Sequence, residues 1–211
     1  MENDAIKRSV DSLQRIYSMI IALAIAYAIS TVFIDEHQYL RNLDAVLPNL
    51  PKFLTFIVII VPFFHGMNRH LDRCYLAKES NPIKGALLYD FFFFFVESVI
   101  LFIFAGTLRS PGLTCYKVLA ILLLIDSCWA ILSCWVHYKT FKNTPGTWCI
   151  INAISVGLGV IVYFHHYFDE LGKVWIFFII ALARSIVDYK LCWSFYFPEA
   201  TSSEIETVKG D

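Results

Sequence analysis

Six apolar stretches, each about 17 to 23 residues long, dominate this chain, and an α-helix needs about that length to cross the hydrocarbon core of a bilayer. They run Leu13–Ile34, Leu50–Gly66, Gly85–Gly106, Lys117–Val136, Thr147–Phe164 and Lys173–Phe195. Backbone polar groups in lipid must be satisfied within their own segment, so such stretches fold as helices and pack as a bundle. The sequence therefore predicts an all-α polytopic integral membrane protein. Residues 1–197 would hold six transmembrane helices, and residues 198–211 a polar, slightly acidic, mobile cytoplasmic tail. The second stretch is the shortest and carries Pro62; "MNRHLDRCYL" extends it without a helix breaker before Asn81-Pro82.

Length alone admits one or two soluble domains, but a chain that is 58% apolar and 17% charged is solvated by lipid. A net charge of −1 and the lack of a basic run exclude nucleic acid as a partner. No Gly-rich phosphate loop, Ser nucleophile elbow or paired CxxC appears, so no cofactor is expected. "AYA" at Ala26–Ala28 has the form of a signal cleavage site, yet the apolar run continues to Ile34 and reads as a retained span.

Lys and Arg set the orientation. Eleven fall on the side of the N-terminus and five on the opposite side, with Arg184 set aside inside a span. Both termini are then cytoplasmic. "EHQYLRNLDAVLPNL" places Leu40, Leu43, Leu47 and Leu50 at helical spacing, which reads as a short amphipathic segment on the outer interface or as a loop with a few leucines.

Polar residues inside the spans carry the functional question. Asp90 and Glu97 lie seven residues apart and share one face of the third span. Asp126 in the fourth span and Arg184 in the sixth lie near mid-depth, with Asp188 one turn after Arg184. His65 and Asn152 fall in the cytoplasmic third of their spans, and Asp126, Ser133 and His137 form a stripe. An ionised side chain facing lipid at mid-depth costs about 3 kcal/mol or more, so these edges turn toward one another as an interior seam. Arginine stays charged, and its expected partner by depth is Asp126 or Glu97, with Asp188 as the local alternative. A packing lock accounts for one Arg and one acid. Four acids on three helices point beyond it to a pathway or site.

Other features have plainer readings. The five phenylalanines Phe91–Phe95 suit a helix surrounded by lipid, although Phe93 and Phe94 flank the Asp90/Glu97 face as a hydrophobic gate would. Trp148, Trp175 and Trp193 read as interface anchors. "HGMNRH" has the spacing of a di-iron ligand pair, but the chain has too few histidines at one depth. Cys74, Cys134, Cys149 and Cys192 lack zinc-knuckle spacing, so no metal is expected. Cys115 lies alone on the outer side, which argues against a disulfide, and Cys74 and Cys192 are positioned for palmitoylation. "LIDSCWAILSCW" and "LARSIVDYKLCW" match at four of twelve positions, too short a match to define a repeat.

The leading expectation is a small membrane protein that conducts, transports or senses a cation or proton. Asp90, Glu97, Asp126, Arg184 and Asp188 would form its site, with His65, His137 and Asn152 along the same pathway and the two histidines relaying protons. A second expectation is a sensor or anchor subunit that forms homo-oligomers and recruits a cytoplasmic protein through Arg69, Arg73, Lys78 and Lys84. A third, a lipid-modifying enzyme using His65, Arg69 and Asp72, has no diagnostic motif.

Overall fold

The computed structural model describes residues 2–77, 85–137 and 144–198, and these are helical almost throughout. Six long helices are α1 (Glu2–Phe33), α3 (Leu50–Leu71), α4 (Ala86–Thr107), α5 (Thr114–Val136), α6 (Thr144–Phe164) and α7 (Glu170–Leu191). Two four-residue helices, α2 (Leu43–Val46) and α8 (Trp193–Tyr196), complete the set. Five of the long helices are apolar enough to cross a membrane. Helix α7 has the same 22 residues as α4 but carries Glu170, Lys173, Arg184, Asp188 and Lys190, so composition alone does not mark it as a span.

The long helices pack as a ring in the order α1, α4, α5, α6, α7, α3, and α3 closes back on α1. Large apolar side chains cover the outside, among them Leu23, Leu88, Phe92, Ile154 and Ile161. A soluble protein does not leave so much contiguous apolar surface in water. The polar residues Asp90, Glu97, Asp126, Asn152, Arg184 and Asp188 are all buried, so the interior seam forms. Tyr27 of α1 stacks on Phe102 at 5.0 Å, and Gly106 lets that tyrosine lie against α4.

Pro62 shapes the joint between α3 and α7. A proline inside a helix has no N–H for the carbonyl four residues earlier. Here that carbonyl belongs to Val58, and Ser185 Oγ of α7 donates to it at 3.0 Å. The orphaned acceptor thus becomes an interhelical bond one residue from Arg184. At the end of α3 the chain widens into a π-turn over Asp72–Leu76. The stretch from Asp35 to Asn49 holds one helical turn capped by Asn42, then a 3₁₀ turn, with Leu40, Leu43 and Leu47 exposed. In place of a continuous amphipathic helix, the segment forms short turns. The predicted tail lies outside the described residues from 199 onward.

Candidate functional site

Two buried polar centres occupy the interior, both nearer the end of the bundle where α3, α5 and α7 finish and α4 and α6 begin. The first is built on Asp90, one turn into α4. His70 Nε2 meets its Oδ2 at 2.8 Å, His137 Nε2 meets the same oxygen at 3.1 Å, and the Tyr75 hydroxyl donates to it at 2.7 Å. Trp129 Nε1 donates to Oδ1 at 3.0 Å. A carboxylate only accepts, so both imidazoles present an N–H from Nε2. Cys74 lies one turn after His70, its Sγ 3.6 Å from His70 Nε2. Asp90, His70, His137, Cys74 and Tyr75 are all buried.

The second centre joins α4, α5, α6 and α7. Asn152 is its hub: Nδ2 donates to Asp126 Oδ2, while Oδ1 accepts from Arg184 Nε at 3.0 Å and Nη2 at 2.8 Å. Arg184 Nη1 lies 3.7 Å from Asp188 Oδ2, too far for a hydrogen bond but close enough for an ion pair. The Arg184 guanidinium also lies 5.2 Å from the centroid of the Phe63 ring. Asp188 accepts from Trp148 Nε1 at 2.9 Å and from the Tyr196 hydroxyl at 3.0 Å. Tyr196 follows the span, in α8. Burial pushes its phenol above the ordinary range and the Asp188 charge adds to the shift, so it remains a donor.

Glu97 completes the second centre differently. It is 2% exposed, and its Oε1 has no hydrogen-bond partner among the described residues; nor does Arg184 Nη1. Both side chains line one small cavity with Asp126 and Asp188, walled by Phe63, Phe94, Trp129 and Trp148. Its free volume is about 30 Å³, room for about one water molecule. Beyond Arg184, towards the far end of the bundle, a larger apolar cavity of about 250 Å³ lies between α5, α6 and α7, lined by Tyr116, Lys117, Gly159, Tyr163 and Phe177. Arg184 borders both cavities.

Several expectations change. The hydrogen-bond partner of Arg184 is the amide of Asn152, which stands between it and Asp126, and its ion-pair partner is the local alternative, Asp188; Glu97 is not paired with it. Asp90 shares a face with Glu97 but belongs to the other centre, separated by the buried Phe94 ring, which packs on His70 and Trp129. His65 does not join His137 in a relay: its Nδ1 lies 3.3 Å from the Tyr189 hydroxyl, and its ring packs on Tyr196 and Phe197. Trp148 is a buried donor to Asp188, while Trp175 and Trp193 are exposed as interface anchors would be. Arg69 pairs with Asp72 at 3.8 Å and donates to the Phe195 carbonyl at 3.3 Å. Arg73 is exposed, and Lys78 and Lys84 lie outside the described residues.

Sequence reasoning missed His70, Tyr75, Trp129, Trp148 and Tyr196 as parts of these centres. Two had a signal: Trp129 lies three residues after Asp126, and Trp148 four before Asn152, each on its helix's polar face. No family model matches the chain, and the comparisons find neither a similar curated protein nor a similar solved structure.

Proposed function

We propose that this chain is a six-span membrane protein, with both termini cytoplasmic, that passes protons through Glu97. The observation that carries the reading is the pairing of two unsatisfied buried atoms, Glu97 Oε1 and Arg184 Nη1, on one small cavity. Burying a polar atom without a partner is costly, and a membrane interior makes it costlier. A packing lock would give Glu97 a partner. A site that exchanges a proton through water needs an acid that is not committed elsewhere.

Volume selects among charges. A space of about 30 Å³ accepts a water but not a hydrated metal cation. Three carboxyls and one guanidinium line this space, and a proton that binds a carboxylate neutralises it without needing further room. In this reading Arg184 and Asn152 hold Asp126 in place, and Glu97 exchanges its proton with a water entering the cavity. Helix α7 serves as the sixth span because Arg184 and Asp188 face inward and are buried. The anchor-subunit alternative is weaker, because Arg69 is already engaged with Asp72 and Phe195.

The test is proton flux into liposomes carrying the purified protein and a lumenal pH dye, driven by a potassium diffusion potential. Wild-type protein should accelerate acidification over protein-free vesicles, and Glu97→Gln should abolish the acceleration while inserting normally. Full flux in Glu97→Gln, or none in the wild type, would overturn the reading.

A further inference from the structure

The Asp90 centre has a donor set that proton exchange at Glu97 does not use. His70, Cys74 and His137 each bring a ligand atom within 4.8 Å of the other two, and all three residues are buried. A tetrahedral zinc with bonds of about 2.0–2.3 Å sets its ligand atoms about 3.3–3.8 Å apart. The 3.6 Å between Cys74 Sγ and His70 Nε2 already falls in that range. Asp90 Oδ2 sits 2.8 and 3.1 Å from the two imidazole nitrogens, slightly inside it.

We propose that His70, Cys74, His137 and Asp90 form a closed structural site for a divalent soft-to-borderline metal, with zinc as its natural occupant. The chemistry of the donors selects this class: two imidazoles, one thiolate and one carboxylate suit zinc and leave no open position. Charge supports it as well. One thiolate and one carboxylate cancel the two positive charges of the ion, so the loaded site is neutral within its apolar surroundings.

Local structure prepares the ligands. His70 and Cys74 stand at i and i+4, on one face of the helix end. The π-turn over Asp72–Leu76 shifts Tyr75 onto Asp90, and π-turns of this kind concentrate at functional sites. Tyr75 and Trp129 both donate to the Asp90 carboxylate, the supporting contacts that orient a ligand and tune its metal. On binding, Cys74 loses its thiol proton to solvent, and both imidazoles bind through Nε2 as their Nδ1–H forms. The ion would then join the end of α3, the start of α4 and the end of α5 at a single point.

Metal content decides the matter. Full-length protein purified in detergent without chelator, incubated with zinc and desalted, should carry about one zinc per chain by plasma mass spectrometry. Cobalt in place of zinc should give the visible bands of a tetrahedral ion with a sulfur charge-transfer band near the ultraviolet. Cys74→Ser should remove that band, and His137→Gln should lower metal content to about a tenth or less. Glu97→Gln should keep the full complement, which separates this site from the proton site. Wild-type protein that is monodisperse yet carries less than about a tenth of an equivalent of zinc, with no cobalt spectrum, would overturn the proposal. Undiminished zinc and an unchanged cobalt spectrum in Cys74→Ser would overturn the assignment of its ligands.

Discussion

The two buried centres solve the same problem in opposite ways. Each holds an aspartate near one end of the bundle, and each aspartate accepts a tryptophan N–H on Oδ1 and a tyrosine O–H on Oδ2: Trp129 and Tyr75 for Asp90, Trp148 and Tyr196 for Asp188. The two indoles stack on each other, with centroids 5.8 Å apart. Their cations differ. Asp90 is faced by two imidazoles, which can be neutral, charged or metal-bound, and is fully satisfied by hydrogen bonds. Asp188 is faced by a permanent guanidinium whose nearest nitrogen remains unbonded, and a cavity opens beside it. A saturated centre is suited to hold helices in place, whereas one with unmet groups and free volume is suited to exchange something.

That contrast can be broken by mutation. The largest effect is expected for Asp90→Leu, which strands two imidazoles, a phenol and an indole N–H. Removing one side of a buried polar network costs about 3–5 kcal/mol, read as a loss of unfolding free energy in detergent. A loss below about 1 kcal/mol would mean that Asp90 is not the hub of a tight network. Next, Asn152→Leu takes both hydrogen bonds from Arg184 and one from Asp126, and should cost about 2–3 kcal/mol in the same measurement. The matched pair Trp129→Phe and Trp148→Phe deletes one N–H donor and one fused ring each from the buried stack, for about 2 kcal/mol apiece. Similar costs would confirm that the two aspartates are equally dependent on their indoles; a much larger cost at Trp129 would show that the saturated centre bears more of the fold. The smallest effect is expected at Glu97. Glu97→Gln should shift stability by about 0.5 kcal/mol or less, or raise it, because Oε1 has no partner to lose. A substantial destabilisation there would reveal a bond that makes Glu97 structural and would count against the proton reading.

Much of this was legible in the chain. Hydropathy marks five of the long helices, the first extending further toward the N-terminus and the second further toward the C-terminus than their apolar stretches, while the expected sixth stretch coincides with α7, a helix too charged to be marked as a span by composition. Helical periodicity assigns Asp90, Glu97, Asp126, Asn152, Arg184 and Asp188 to inward faces, and all six are buried. The segregation of those residues into two centres was not legible. Depth matching pairs Arg184 with a carboxylate at the same level. The helix ring instead sets Asn152 between them, and an amide that accepts from arginine and donates to aspartate satisfies both.

Sequence alone determines that this protein is helical, with apolar helices long enough to cross a membrane and with acids and one arginine turned inward, because length, hydropathy and the 3.6-residue period are local properties. Tertiary structure decides which acid meets which donor. Placing α3 beside α7, with its end near the start of α4, brings His70 to Asp90 and Ser185 to the carbonyl left open by Pro62. It also leaves Glu97 facing a space that no side chain fills. Contacts of that kind depend on the order of helices around the ring and on the reach of single side chains, and neither is written in the period or depth of a segment.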